Sequence, residues 1–184
     1  MKGSFSIYSL LVCIIIVFLS SESTYVYAQN EVWIHAGLGI SSLGPFGGSP
    51  GGSAGLSIQS KKLIFSLRAT ANKENAFEIF TAGEEFYDVG LLVGVATQNR
   101  KSHTSFSIGL ARVTGIRVTE NVQCVFFCFN ERVDIDPTIG VPIVFQYFMK
   151  VSGVIGYGFN IYWNINNVKS FGGITLNLML GKLR

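Results

Sequence analysis

The most regular stretch of the chain is its last, Ile174-Thr175-Leu176-Asn177-Leu178-Met179-Leu180, with large apolar residues at every even position and small, polar or flexible ones between. A period of two gives a strand one apolar face and one mild face. The same alternation recurs upstream. Val32, Ile34, Ala36, Leu38 and Ile40 alternate with Trp33, His35, Gly37 and Gly39, predicting a first strand over 32–40. Ala54, Leu56 and Ile58 mark a second over 53–59, and Leu63, Phe65, Leu67 and Ala69 a third over 63–70. A fourth covers 87–96 (Tyr87, Val89, Leu91, Val93, Val95) and a fifth 105–111 (Phe106, Ile108, Leu110). The sixth, 139–147, shows Ile139, Val141, Ile143, Phe145 and Tyr147, and the seventh, 151–161, shows Ile155, Tyr157, Phe159 and Ile161. The stretch at 174–183 is the eighth.

Between these runs lie a Gly/Pro/Ser loop at 41–52, a tight turn at Lys61-Lys62 and an acidic loop at 72–85. That acidic loop holds Glu74, Glu78, Glu84 and Glu85, with a candidate helical turn at 76–80. A turn at 98–102, the longest loop at 114–137, a turn at 148–150 and a modest polar loop at 164–170 complete the series. Connections thus alternate long and short, and runs of about ten residues suit a tilted bilayer crossing. The pattern predicts an all-β fold, an eight-stranded antiparallel up-and-down transmembrane β-barrel. Its long loops face outward, and its short turns and both termini face the periplasm.

Composition agrees with a membrane barrel. Charged residues make up 14% of the chain, against about 25% in soluble globular proteins. Lys2, the apolar run at 7–19 and Val26-Tyr27-Ala28 together read as a cleaved signal peptide over 1–28. The rival is a permanent anchor, but such a run spans only about 20 Å of a hydrocarbon core about 30 Å thick. Cys13 has no small-residue lipobox around it. The mature chain, 29–184, is long enough for one domain and contains no run of about 18 apolar residues. Only helices and closed barrels satisfy every backbone group in lipid, so a barrel remains.

The two faces also discriminate. A soluble eight-stranded barrel of lipocalin or avidin type would turn its apolar face inward and need a charged exterior. Here the milder face carries only His35, Arg68, Asp88 and His103 as ionisable residues. Such a face suits a narrow lumen filled by small side chains. Leu92, Val113 and Val144 share the lumen parity, predicting a mixed, filled interior. Pro142, inside the sixth run, predicts a bulge or local break there.

With its secretion signal, eight alternating runs and apolar last strand, the chain resembles the small bacterial outer-membrane β-barrel proteins, the opacity-like and outer-membrane-protein-A-like group, over 32–183. The resemblance implies insertion among outer-membrane lipid with help from the barrel-assembly machinery. It further implies roles in adhesion, envelope integrity or small-molecule passage. We expect a structural or interaction role through surface loops, without catalysis and without a cofactor, toward an extracellular or envelope protein partner. A narrow pore or small-solute conduit is the alternative. No metal-ligand cluster, phosphate loop or nucleic-acid patch appears in the sequence.

Three constellations are candidates for sites. Arg68 and Asp88 fall at the loop-side ends of neighbouring strands with matching parity, predicting a lumen ion pair whose role is either to satisfy two buried charges or to gate. His103-Thr104-Ser105 looks like the His-x-Ser of lipid A deacylases, also small outer-membrane barrels, and makes a lipid-modifying enzyme a lower alternative. Against it, the topology places His103 at the periplasmic end and pointing into the lumen, like the filler His35. Cys124 and Cys128 form an even pair in an oxidising compartment and predict a local disulfide. That bridge would present Val125, Phe126, Phe127 and Phe129 as an apolar knob, either a lid over the barrel mouth or a contact for a partner or the outer leaflet. The periplasmic side gathers Lys61, Lys62, Arg100, Lys101, Lys150, Lys182 and Arg184 against Glu31 alone, while acids outnumber bases on the outer side.

Overall fold

The computed structural model describes residues 31–42, 48–73, 83–99, 101–119 and 131–182. They form eight strands: β1 (Glu31–Ser42), β2 (Ser49–Ser60), β3 (Leu63–Lys73), β4 (Glu85–Gln98), β5 (Ser102–Thr119), β6 (Glu131–Lys150), β7 (Ile155–Asn166) and β8 (Phe171–Lys182). Each pairs antiparallel with its sequence neighbour, and β1 pairs with β8, so the sheet closes on itself. The signal peptide expected over 1–28 and the helical turn expected at 76–80 lie outside the described residues.

Closure comes with a stagger. The pairs lead from Arg112 through Val89, Ala69, Ala54, Ala36, Leu178, Tyr157 and Met149 back to β5 at Ser102, ten residues below the start. A stagger of this kind in eight strands tilts them by about 40° and leaves an interior only wide enough for side chains.

The alternation in the sequence is the alternation of the wall. On β8, Ile174, Leu176 and Leu178 face outward, Leu176 being 73% exposed, while Thr175, Asn177 and Met179 are buried inside. On β1, Leu38 is 80% exposed and His35 is 3% exposed. The outer surface is an apolar belt that also carries Tyr87 and Trp163 toward the loop end and Tyr157 toward the turn end. Such a surface is stable in lipid, and aromatic residues at its margins match the girdles of transmembrane barrels.

Several element ends differ from the sequence reading. Strand β2 begins at Ser49, inside the expected 41–52 loop. Pro50 there lies beyond the last β2–β3 pair, Gly51–Asn72, where that edge of the strand is unpaired and proline is tolerated. The expected loop at 114–137 is largely strand, since β5 runs to Thr119 and β6 starts at Glu131. Both strands here project past their other neighbours. Among the described residues, β6 pairs with β7 only from Gly140 onward. One face of this hairpin is exposed and the other only half-buried, so Arg117, Asp134 and Asp136 interrupt its apolar pattern and conceal it.

The turn expected at 148–150 lies instead at 151–154, and β7 starts at Ile155 rather than at 151. Ser152 Oγ accepts from the Val154 and Ile155 amides at 3.2 and 3.1 Å, folding back a stretch whose valines suggested strand. At Pro142 the expected local break is present, without a bulge: no pair joins Gly109 to Pro142 or Leu110 to Val141. The β5–β6 pairs pass from Ile108–Ile143 to Ala111–Gly140 in unchanged register. The register shift falls between Val113 and Gly115, where Thr114 faces both Asp136 and Pro137. Proline is thus at the bulge, as its missing N–H favours, but it is the other one. The tight turn at Lys61-Lys62 is present, with Lys61 at a φ of 56°.

Candidate functional site

The barrel interior is built from the inward residues of all eight strands. At the turn end, Trp33, Ile64, Ala96, Phe148 and Met179 form one apolar cluster. His103 stands edge-on to Trp33, ring centres 4.9 Å apart. Toward the loop end, Phe86, Leu92, Val113, Val144, Tyr162 and Phe171 form a second, with Ile135 and Val168 packed on it. Along β4 this cluster brackets Asp88, with Leu92 on the turn side and Phe86 on the loop side.

Asp88 is the hub of the polar interior. Arg68 Nη2 donates to its Oδ2 at 3.1 Å, with side-chain exposures of 3% and 1%. Thr70 Oγ1 donates to Oδ1 and Asn164 Nδ2 to Oδ2, both at 2.6 Å. The Arg68 guanidinium lies over the Tyr162 ring, 4.9 Å from its centre, a cation–π arrangement. The Tyr162 hydroxyl in turn donates to Asn72 Oδ1. A carboxylate with a cation and two neutral donors has most of its lost hydration replaced, which lets a charge sit inside the wall. Sequence parity located Arg68 and Asp88; it missed Thr70, Asn72, Tyr162 and Asn164, although all four share the lumen parity of their strands.

Smaller bonds fill the rest. Ser57 and Ser66 hydroxyls lie 2.8 Å apart, Ser105 Oγ donates to Gln146 Oε1 at 3.1 Å, and Gln146 Nε2 reaches to 3.5 Å of His35 Nε2. Ser53 Oγ lies 2.9 Å from Thr175 Oγ1. A cavity of about 10 Å³ lined by His35, Ser66, Arg68, Ser107 and Gln146 remains, room for about one water.

Both rims are tied by charges. At the turn end, Lys150 Nζ lies 3.7 Å from Glu31 Oε1, which also accepts from Gln98 Nε2 at 2.7 Å. Lys150, one of the cations gathered on the periplasmic side, has only 5% of its side chain exposed. At the loop end, Glu84 pairs with Lys169 and, at 3.8 Å, with Arg117. Lys73 Nζ lies 2.9 Å from Glu85, which also accepts from the Tyr87 hydroxyl.

His103 and Ser105 both point into the lumen at the turn end, 1% and 2% exposed. Ser105 is bonded to Gln146 and His103 packs on Trp33, so neither the mutual bond nor the lipid-facing setting of a nucleophile and its base is in place. Cys124, Cys128, Val125, Phe126, Phe127 and Phe129 lie outside the described residues. Among the described residues, no group of three or more His, Cys, Asp or Glu is placed to hold a metal.

No protein-family model matches the chain, and no curated protein matches its sequence. Solved structures do match the fold. Neisserial surface protein A superimposes with a TM-score of 0.56 at 13% identity, over 84% of this chain and 99% of that one. Ail, the attachment invasion locus protein of Yersinia pestis, gives 0.56 at 6% identity, over 86% and 100%. The N-terminal β-barrel domain of Pseudomonas aeruginosa OprF gives 0.52 at 13%, over 84% and 98%. At these identities the likeness is one of architecture, and with the apolar belt and filled lumen it makes this chain a closed, eight-stranded transmembrane β-barrel with the fold of the small outer-membrane proteins.

Proposed function

We propose that the protein is an outer-membrane scaffold that conducts nothing and catalyses nothing, and that its loop end contacts a protein partner in adhesion or envelope integrity. The observation that carries this reading is the interior. Two apolar clusters and the hydrogen-bonded hub of Asp88 occupy the barrel, and a cavity beside Arg68 between them is only about 10 Å³. A wall so filled has its variable surface only at the rims.

The loop end supports the same reading. The β5–β6 hairpin stands above the barrel with Val133 45% exposed, presenting backbone and apolar side chains clear of the membrane. One structure of Ail holds sucrose octasulfate, a heparin analogue. In this chain three described loop-end cations, Lys73, Arg117 and Lys169, are engaged by Glu84 or Glu85, which leaves fewer free cations for a sulfated sugar and favours a protein. The test combines three measurements on the folded protein: cell fractionation with heat-modifiable gel migration, planar-bilayer conductance, and partner binding with residues 120–130 replaced by a Gly/Ser linker. Channel events would replace the scaffold reading with the narrow pore. A change in lipid A mass that depends on His103 would replace it with the enzyme.

A further inference from the structure

The apolar belt is not evenly filled. Ala36, Ala54 and Ala69 are outward-facing direct partners across β1, β2 and β3, and small side chains in one row leave a depression between larger ones. The depression has a volume of about 490 Å³, is bordered by Leu56, Leu178 and Val89, and is almost wholly apolar. Single-ligand sites occupy roughly 300–1,000 Å³. Because of the stagger, this row climbs as it passes from β8 to β5. Ala36 lies five residues above the turn end of β1, and Arg112 lies ten above the turn end of β5.

Arg112 is the next member of that row. It pairs with Val89, the last groove residue, on one side and with Ile139 on the other. It is exposed on the lipid-facing parity of β5, two pairs below Tyr87–Thr114. It has no ion-pair partner among the described residues, whereas Lys73, Arg117 and Lys169 at the same end are paired. A guanidinium on a lipid-facing wall extends toward the headgroup layer and matches a phosphate bidentately.

We infer that this groove and Arg112 form a site for one anionic phospholipid, with an acyl chain along Ala69, Ala54 and Ala36 and the phosphate on Arg112. A single groove ending, among the described residues, at a single unpaired cation fits a phospholipid rather than a multiply phosphorylated glycolipid, whose further charges would find no second unpaired cation at that end among those residues. The inference rests on the membrane location proposed above.

The test is native mass spectrometry of the folded full barrel released from detergent containing dioleoyl phosphatidylglycerol, with dioleoyl phosphatidylcholine as the zwitterionic comparison. One phosphatidylglycerol should stay with the wild type in preference to phosphatidylcholine. Arg112→Gln should lower that retention roughly tenfold. Ala54→Leu, which fills the groove and leaves the arginine in place, should do the same, and Arg117→Gln should leave it unchanged. Equal retention in Arg112→Gln, equal retention of both lipids, or displacement by an equimolar phosphorylated glycolipid would overturn the site. Heat-modifiable migration of each variant reports folding separately, so a protein that never forms a membrane barrel fails in that assay, and a folded barrel that keeps no lipid refutes only the site.

Discussion

Ser53 on β2 and Asn177 on β8 are hydrogen-bonded at 3.0 Å across the strand that separates them. The residue between them is Gly37, the direct partner of both. With no side chain there, the two polar groups meet over the β1 backbone at the place where the sheet closes. A Cβ on Gly37 would collide with the Leu176 carbonyl oxygen and stand 2.5 Å from Asn177 Cγ. The glycine is therefore part of the closure, joining three strands where backbone pairing joins only two at a time.

Gly37→Val should consequently impair assembly more than a valine elsewhere in the wall. Overpacking of a tight interior costs about 1–3 kcal/mol, and loss of the Ser53–Asn177 bond adds about 1 kcal/mol. Refolding into lipid vesicles, followed by heat-modifiable migration, should show a reduced folded fraction. A control, Gly52→Val, places its side chain on the outward face, where the nearest neighbour of a Cβ is Leu38 Cδ2 at 3.5 Å. That variant should fold normally.

The Arg68–Asp88 pair makes a second prediction with a sign. Removing one partner leaves a buried charge alone and costs about 3–5 kcal/mol, whereas replacing both by neutral groups of similar size costs less. Arg68→Met should thus destabilise strongly in urea titrations of the vesicle-inserted barrel. The double variant Arg68→Met with Asp88→Asn should recover part of the loss. Strict additivity of the two single effects would show that the residues do not interact.

The fold was legible because the sequence states it twice, in the period-two runs and in the alternation of long and short connections. Facing was legible too, since His35, Arg68, Asp88 and Asn177 all fall on the parity opposite the unbroken apolar runs. What stayed hidden has local causes. The β5–β6 hairpin above the rim has one exposed face and one only half-buried, so Asp134, Asp136 and Arg117 break its pattern and it reads as loop. Ser152 converts a valine-rich segment into a turn by side-chain bonding that composition does not announce. The groove beside Arg112 was invisible because it depends on register, which brings Ala36, Ala54 and Ala69 together from three separate runs.

Gly140 tests the hub from another direction. A Cβ there would collide with Asn164 Oδ1 and come within 2.9 Å of Val113 Cγ2. Asn164 is the residue that donates to Asp88 at 2.6 Å. Gly140→Ala should push this amide off the carboxylate and destabilise by about 1–3 kcal/mol, the cost of leaving a buried acceptor short of a donor. In the Asp88→Asn background the same alanine should cost measurably less, because the lost bond no longer serves a charge.

The cysteine pair separates loop from barrel. A disulfide between Cys124 and Cys128 would close a very short ring, which constrains the unfolded chain little. Cys124→Ser with Cys128→Ser should therefore leave vesicle refolding and heat-modifiable migration unchanged, while altering any partner binding that depends on residues 120–130. A double variant that no longer folds would place the pair in barrel assembly instead.

The filled lumen makes the most exposed prediction. The wild-type barrel should show no unitary conductance in planar bilayers, because apolar side chains close it at two levels. Either level suffices alone. Trp33→Ala with Phe148→Ala removes the bulk of the turn-end cluster, yet Phe86 and Phe171, whose ring centres lie 5.6 Å apart, still fill the loop end. That double variant should stay silent, as should Phe86→Ala with Phe171→Ala, since Trp33, Phe148 and Met179 remain fully buried below. Only the four-residue combination opens both ends onto the polar middle, where Ser57, Ser66, Ser105 and Gln146 can hold water. It should give small, persistent conductance steps. Events from either double variant would mean that the two clusters do not close the barrel independently, and events from the wild type would mean that the interior rearranges enough to conduct.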